Sequence, residues 1–436
     1  MLNIFDLTLR INGFPIKEAT KECNKNQELS DSEFEEFQSN SKKQIVEYHL
    51  KNNSMYNKLV GDISFSSWES LPIMTKADFQ KPLKERLSKG FTIKNVYVNK
   101  TSGSSGHPFV FAKDKFCHAM TWVHIFKLFN WHSINFNTSY QARFYGIPLD
   151  FVGNTKERLK DYLGNRYRFS IYDLSDKAFE KIVLHFYKKK FNYINGYTSS
   201  IVLFAKFLEK KQLVLKTICP TLTVCIVTAE MLFETDRLLL EKQFGIPVVN
   251  EYGASELGII AFQNQEMEWQ VDATSLFVEI VDEENNPLPY GKEGRIVITS
   301  LFNKAHPFIR YAIGDYGKLS EKSTLKKPLL EQLIGRTNDF VSLPSGKQTP
   351  GLTFYYITKS IIEDDGNVKE FIIRQIKINA FEIQYISERV LTSNQITQIN
   401  KTIEVYLEKG LNFTFERKEI LERSKSGKLK QFERLF

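Results

Sequence analysis

From Val96 onward the chain alternates short β-branched runs with helix-length segments, and that alternation restricts its fold more than any other feature. Val96-Tyr-Val98 is followed by a helical pattern over 114–130, and Tyr193-Ile194 by one over 198–211. Val224-Cys-Ile-Val227 precedes a helix pattern from Met231 to Phe244, which Gly245 closes before Val248-Val249. Strands joined through helices pair in parallel, so the pattern predicts a mostly parallel sheet with helices on its faces. Residues 1–95 read as helical support, with Thr75-Lys-Ala-Asp78 as a cap before Phe79.

After about residue 265 the periodicity changes. Leu276–Val281 and Arg295–Ser300 read as strands joined through Asn285-Asn286-Pro287, a small antiparallel, β-barrel-like portion. From about 339, Phe371–Ile386 alternates with period two. Ile396, Ile399, Ile403 and Leu407 mark one helix face, and Phe413–Phe415 reads as a further strand. The fold class expected is therefore α/β, with a large N-terminal domain over 1–338 and a small, mobile α+β C-terminal domain over 339–436. A chain of 436 residues exceeds what one core usually serves, in keeping with two domains.

Composition removes several function classes. Lys and Arg number 59 against 51 Asp and Glu, with Lys188-Lys189-Lys190 the longest basic run, which speaks against nucleic acid as a partner. The four cysteines form no C-x-x-C and the histidines no H-E-x-x-H, so neither a disulfide framework nor a structural zinc site is expected. No run approaches the roughly 20 apolar residues of a membrane span, and no basic leader precedes an apolar stretch at the start. The expected location is the cytoplasm. There is no G-x-x-x-x-G-K-[ST] and no G-x-G-x-x-G. Gly253-Ala-Ser-Glu-Leu257 lacks the last glycine of a serine-hydrolase elbow.

Five stretches can carry chemistry. Thr101-Ser-Gly-Ser-Ser-Gly106 lies between two strand-like runs and reads equally as an anion nest, with Gly103 and Gly106 supplying positive φ, or as a Gly/Ser hairpin turn. Val248-Val-Asn-Glu251-Tyr252-Gly253-Ala254-Ser255-Glu256 begins as a buried strand and is expected to break at Gly253. Its residues then reach the C-terminal end of a parallel sheet, where such folds bind ligands. Tyr252 can stack on a base there, and Glu256 can hold Mg²⁺ or cap a helix. Asp315, after Gly314, is a turn residue or an acceptor for two ribose hydroxyls. Gly335-Arg336-Thr-Asn-Asp339 sits at the expected domain boundary. Ser424-Lys-Ser-Gly-Lys428 is a cationic stretch near the C-terminus or a frayed end.

In this order and spacing the five resemble the motifs of the adenylate-forming, AMP-binding enzymes, in the phenylacetate-CoA ligase-like branch that includes the CapK proteins of capsule gene clusters. The resemblance runs from about Leu71 to the C-terminus. It implies that Thr101, Ser102, Gly103, Ser104, Ser105 and Gly106 form the phosphate loop, and that Glu251, Tyr252, Gly253, Ala254 and Ser255 line the nucleotide and acyl pockets. It implies Mg²⁺ at Glu256, ribose at Asp315, ribose and phosphate near Arg336, and a hinge at Asp339. Lys428 would contact the carboxylate and α-phosphate during adenylation, so Lys428 and Glu256 are the catalytic pair. Tyr145, Tyr197, Ala229 and Glu230 would line the substrate pocket. With Phe144, the tyrosines are compatible with an aryl or small apolar acid, although aromatic residues of this kind are more often simple core. One departure stands out: Gly106-His107-Pro108 replaces the usual Gly-Lys-Pro, which removes a cation from the β/γ-phosphates.

The activity implied is ATP- and Mg²⁺-dependent adenylation of a carboxylic acid followed by transfer to coenzyme A. One alternative acceptor is an amine, such as an amino sugar in surface-polysaccharide synthesis; a non-catalytic nucleotide-binding protein is a more distant reading. Related ligases are often homodimers, and no residue pattern here decides the oligomeric state.

Overall fold

A computed structural model of the chain describes residues 4–61, 67–101, 110–147, 151–336, 340–350, 368–423, 429 and 432–436. Helices Ile4–Ile11, Ile16–Glu28, Asp31–Asn52 and Ser54–Val60 open the fold. Ser30 caps the third with a full capping box to Glu33. Thr75 and Asp78 also form a capping box, but on a single 3-10 turn, Lys76–Phe79. Strands β1 (Tyr97–Lys100) and β2 (Val110–Lys113) then pair as an antiparallel hairpin.

The Val96–Val98 run, expected to open the parallel sheet, lies in this hairpin instead, and the alternating region beyond it forms one seven-stranded sheet. Its strands are β3 (Gln141–Phe144), β4 (Arg166–Phe169), β5 (Tyr193–Tyr197), β6 (Val224–Thr228), β7 (Val248–Ala254), β8 (Gly258–Gln263) and β9 (Trp269–Val271), in the order β4-β3-β5-β6-β7-β8-β9. Pairing is parallel from β4 to β7, as the helical crossovers require, and antiparallel beyond. A core of Phe144, Phe169, Phe186, Phe204 and Phe244 packs one face against helices Asp176–Lys188, Thr198–Lys210 and Glu234–Phe244. Ile226, Val249 and Phe262 meet helix Lys115–Asn130 on the other. Gly196 is required where β5 pairs with β3, because a Cβ there would stand 2.4 Å from the Phe144 carbonyl oxygen.

β10 (Leu276–Val281), β11 (Glu293–Ser300), β12 (Tyr311–Leu319) and β13 (Leu330–Arg336) form an antiparallel four-stranded sheet with register shifts in β11/β12 and β12/β13. It shares a core with Tyr252, Leu257 and the N-terminal helices. The fully buried Arg310 ties it to the preceding loop, donating to the carbonyls of Glu69 and Leu71, both at 2.9 Å.

β14 (Phe340–Ser342) and β15 (Gln348–Pro350) form a hairpin. β16 (Val368–Lys377), β17 (Ala380–Ser387), β18 (Asn412–Arg417) and β19 (Phe432–Arg434) form a last sheet in the order β18-β17-β16-β19. Helix Ser393–Tyr406 provides the crossover that lets β17 and β18 run parallel, and Ile399 and Ile403 bury its apolar face. Val341 and Leu343 pack into this core, whereas Leu330 and Leu333 belong to the preceding one. The architecture is the expected one, a large N-terminal α/β part with an antiparallel sheet and a small α+β C-terminal part.

Two local readings change. The strand expected to break at Gly253 continues to Ala254, with a bulge between Tyr252 and Gly253. Glu256 then lies in a hairpin turn leading to β8 rather than at a helix start, because β8 returns antiparallel without a crossover. The helix-cap reading of Glu256 therefore falls.

Buried histidines make stability depend on acidity. His49 is fully buried, and its Nε2 must carry the proton to donate to the Asn303 carbonyl at 2.8 Å, leaving Nδ1 facing the Ser88 hydroxyl at 3.1 Å. Burial pushes His49 down from 6.5 to about 4. An unfolded chain takes up this proton near the ordinary value and the folded chain does not, so stability is full above pH 6.5 and falls as pH drops toward 4. The loss is expected to reach about 3 kcal/mol, at roughly 1.4 kcal/mol per pH unit. Urea titrations from pH 7.5 to 4.5 check this: His49→Gln should start less stable and decline less steeply than the native chain.

Candidate functional site

The parallel register brings Tyr197, Thr228 and Glu251 side by side at the C-terminal ends of β5, β6 and β7. Thr228 Oγ1 donates to Glu251 Oε1 at 2.9 Å. Burial pushes the Glu251 carboxyl up, while that bond and the charge of Arg143 pull against it, leaving it above the ordinary carboxylate range. Arg143 lies 3.9 Å over the Tyr145 ring, and its Nε is buried without a hydrogen-bond partner among the described residues. The Tyr145 hydroxyl donates to Asn195 at 3.1 Å, and the rings of Tyr145 and Tyr197 are 4.7 Å apart. This corner is polar as well as aromatic. Phe144 is fully buried core against Phe169 and Phe204, in the same cluster that includes Tyr197 and that Tyr145 packs against.

A second group forms where the two large sheets meet. The Tyr252 hydroxyl donates to Asp315 Oδ2 at 2.7 Å, and both residues are buried. The Tyr252 ring meets Trp269 edge-on at 6.1 Å. Asp315 pairs directly with Arg336 across β12 and β13, so two motifs separated in sequence share one register position. Glu256, also buried, accepts from the Tyr311 hydroxyl at 3.1 Å and lies near the buried ammonium of Lys113. Burial lowers Lys113, and Cys117, Glu256 and Asp272 oppose that shift. Gly253 and Ser255 are exposed beside Glu256, with Ala254 half-buried between them.

Thr101 is half-buried at the end of β1, and the antiparallel β1–β2 pair suits either reading of the loop it starts. Ser102 to Gly106, with His107, lie outside the described residues, as do Asp339 and Lys428; Arg336 is described in its backbone alone. Glu230 faces the C-terminal part. Ser199 N–H donates to its Oε2 at 2.7 Å and Leu429 N–H to its Oε1 at 3.2 Å. Burial raises its carboxyl, against these bonds and the charge of Arg423. Among the described residues no three His, Cys, Asp or Glu side chains cluster as a metal site. Glu256 is the carboxylate that would hold Mg²⁺ were a nucleotide's phosphates to supply the other ligands, since Mg²⁺ takes only one or two carboxylates in such sites.

Sequence reasoning missed Arg143, Lys113 and Tyr311. The signal for Lys113 is a lysine closing the buried stretch Phe111-Ala112-Lys113, where a solvent-facing charge would not sit. The others become polar partners only through cross-strand register. None of the helices among the described residues is long and apolar enough to cross a membrane.

No family model matches the chain. It is 25% identical over 416 residues to Protein CapK of Staphylococcus aureus, covering 91% of this chain and 86% of that one. It is 30% identical over 129 residues to the phenylacetate-coenzyme A ligase of Aromatoleum evansii, covering 28% of this chain and 29% of the ligase. In fold it is similar to 2-hydroxyisobutyryl-CoA ligase in its postadenylation state, with a TM-score of 0.71 at 14% identity over 94% of this chain and 91% of the other. The same ligase in its thioesterification state gives 0.57 over the same shares.

Tyr252→Phe keeps the ring and deletes the donor to Asp315. We expect it to lower the stability of the N-terminal part by roughly 1–2 kcal/mol, since a buried carboxylate loses a charge-assisted bond. Chemical denaturation followed by tryptophan fluorescence measures the change; an unaltered midpoint would show that the bond contributes nothing to the seam between the sheets.

Proposed function

We propose that this chain, an adenylate-forming enzyme by sequence kinship and fold, activates a carboxylic acid with Mg²⁺-ATP and passes the acyl group to coenzyme A. The observation that carries the reading is the register pairing of Asp315 with Arg336 beside the Tyr252–Asp315 bond, near the C-terminal end of β7, where folds of this kind bind ligands. That position suits Asp315 to accept from two ribose hydroxyls while Tyr252 holds its second oxygen.

The chemistry asks for no protein nucleophile. A carboxylate oxygen of the acid attacks the α-phosphorus, the bond to the β-phosphate bridging oxygen breaks, and pyrophosphate leaves. The coenzyme A thiolate then attacks the acyl carbonyl and AMP departs. Catalysis consists of positioning and charge neutralisation, for which Lys428, the 101–106 loop and Arg336 are the assigned cations and donors. Mg²⁺ would travel with the nucleotide and meet Glu256. The 1–338 part would bind ATP and acid, and the 339–436 part would rotate at Asp339 between the two half-reactions.

A second reading, which rests on the resemblance to the CapK proteins of capsule gene clusters, sends the acyl group to an amine; Protein CapK matches 91% of the chain, against 28% for the coenzyme A ligase. The polar corner of Arg143, Asn195 and Glu251 makes a purely apolar acid a poorer fit than an acid with a second polar group.

ATP–pyrophosphate exchange across aryl, short acyl, hydroxy and amino acids tests adenylation. Exchange dependent on one acid and abolished by EDTA is expected, and none with any acid would overturn the reading. Lys428→Ala should slow exchange by about 100-fold or more with an unchanged denaturation midpoint. Mass spectrometry of products formed with coenzyme A or with amino sugars separates the two acceptors.

A further inference from the structure

The loop that follows β6 does something that lining a pocket does not require. Ala229 has φ +68°, a left-handed conformation that a residue with a Cβ adopts only when its surroundings impose it. The next residue, Glu230, is thereby held between two backbone N–H groups from distant parts of the chain, Ser199 at 2.7 Å and Leu429 at 3.2 Å. Thr198 Oγ1 donates to the Glu230 carbonyl at 3.2 Å and fixes the loop from behind. Met231 and Phe233, just beyond, pack into the core of the C-terminal sheet with Phe371 and Phe381. Arg423 reaches back across the same boundary to the Ser199 hydroxyl at 3.5 Å and pairs with Glu370. Leu429 itself is buried with Ile372 and Leu421.

We propose that Glu230 is a positioning residue that seats the C-terminal part for adenylation by holding the backbone of Leu429 through its N–H; this rests on the adenylation reading above. A carboxylate accepting two backbone N–H groups is a directional clamp, because both oxygens are committed and each donor is a rigid peptide. The apolar contacts of Met231 and Phe233 supply area, and Glu230 supplies register. The clamp joins two parts of the chain, so it exists only in the arrangement that brings them together. It serves the half-reaction in which Lys428 is used and releases when the C-terminal part turns away. Ser199 opens the helix that follows β5 and Glu230 lies in the loop that follows β6, so the segments leaving the ends of these neighbouring strands carry the docking contact.

Hydrogen exchange of the full-length chain, read by mass spectrometry on peptides covering Leu429, tests the contact directly, and ATP–pyrophosphate exchange tests its consequence. In Glu230→Ala the Leu429 amide should exchange at least about 10-fold faster while amides of β16 and β17 stay protected. With the acid that supports exchange in the native chain, kcat should fall about 10-fold and the KM for that acid should stay within about twofold. Glu230→Gln keeps the size and one acceptor oxygen and should fall between the two, which covers the case in which the alanine variant fails to fold. An unchanged Leu429 amide would overturn the clamp. A faster Leu429 amide with unchanged kcat would overturn its positioning role, and a raised KM for the acid with unchanged kcat would make Glu230 a pocket wall instead. If no acid supports exchange in the native chain, the adenylation reading fails and takes the positioning role with it, while the amide measurement still decides whether the clamp exists.

Discussion

The bond from the Tyr252 hydroxyl to Asp315 is the point on which the candidate site depends, because it joins the end of the parallel sheet to the antiparallel sheet through a buried carboxylate. A carboxylate away from water must be matched by donors, so the two sheets can meet only where a donor stands opposite it. Tyr311 to Glu256 is a second bond of the same type across the same seam. Together they fix the rotation of one sheet on the other, and with it the placement of Asp315, Arg336 and Glu256 around one region.

Charge in that region is handled by pairs rather than by solvent. Lys113 and Glu256 share a buried environment, and Arg143 opposes the effect of burial on Glu251. Such groups are costly when unpaired and orient strongly when paired. Arg143 keeps a buried Nε without a partner among the described residues, which gives the corner an unspent donor facing a mixture of aromatic and polar side chains. An aromatic inventory alone suggests an apolar pocket; cross-strand register turns the same corner polar.

Much of the scaffold was legible in the residue pattern. The helix-separated β-branched runs mark the parallel strands β5 to β7, the strand patterns over 276–281 and 295–300 mark the antiparallel sheet, and the Ile396–Ile403 spacing marks the crossover helix of the last sheet. The errors share one physical origin. Gly253 read as a strand end because glycine breaks strands, yet here it permits a bulge, its hypothetical Cβ lying 2.8 Å from the Gly258 carbonyl oxygen. Glu256 read as a possible helix cap because a polar residue after a strand often opens a helix, yet β8 returns antiparallel and leaves it in a hairpin turn. Both outcomes depend on what lies across the strand, which local pattern does not contain.

The sequence by itself determined the class of fold, the order of its parts and the kinds of residue available at each motif, because hydrophobic period and chain punctuation are local properties. Only the tertiary structure decided which of those residues meet. Asp315 faces Arg336 and Tyr252 through register shifts in β12 and β13, and Glu230 reaches Leu429, almost 200 positions later, through a left-handed turn at Ala229. Hydrogen bonds act over about 3 Å whatever the separation along the chain, so the pairs that make a site are set by packing and register, after the elements themselves are in place.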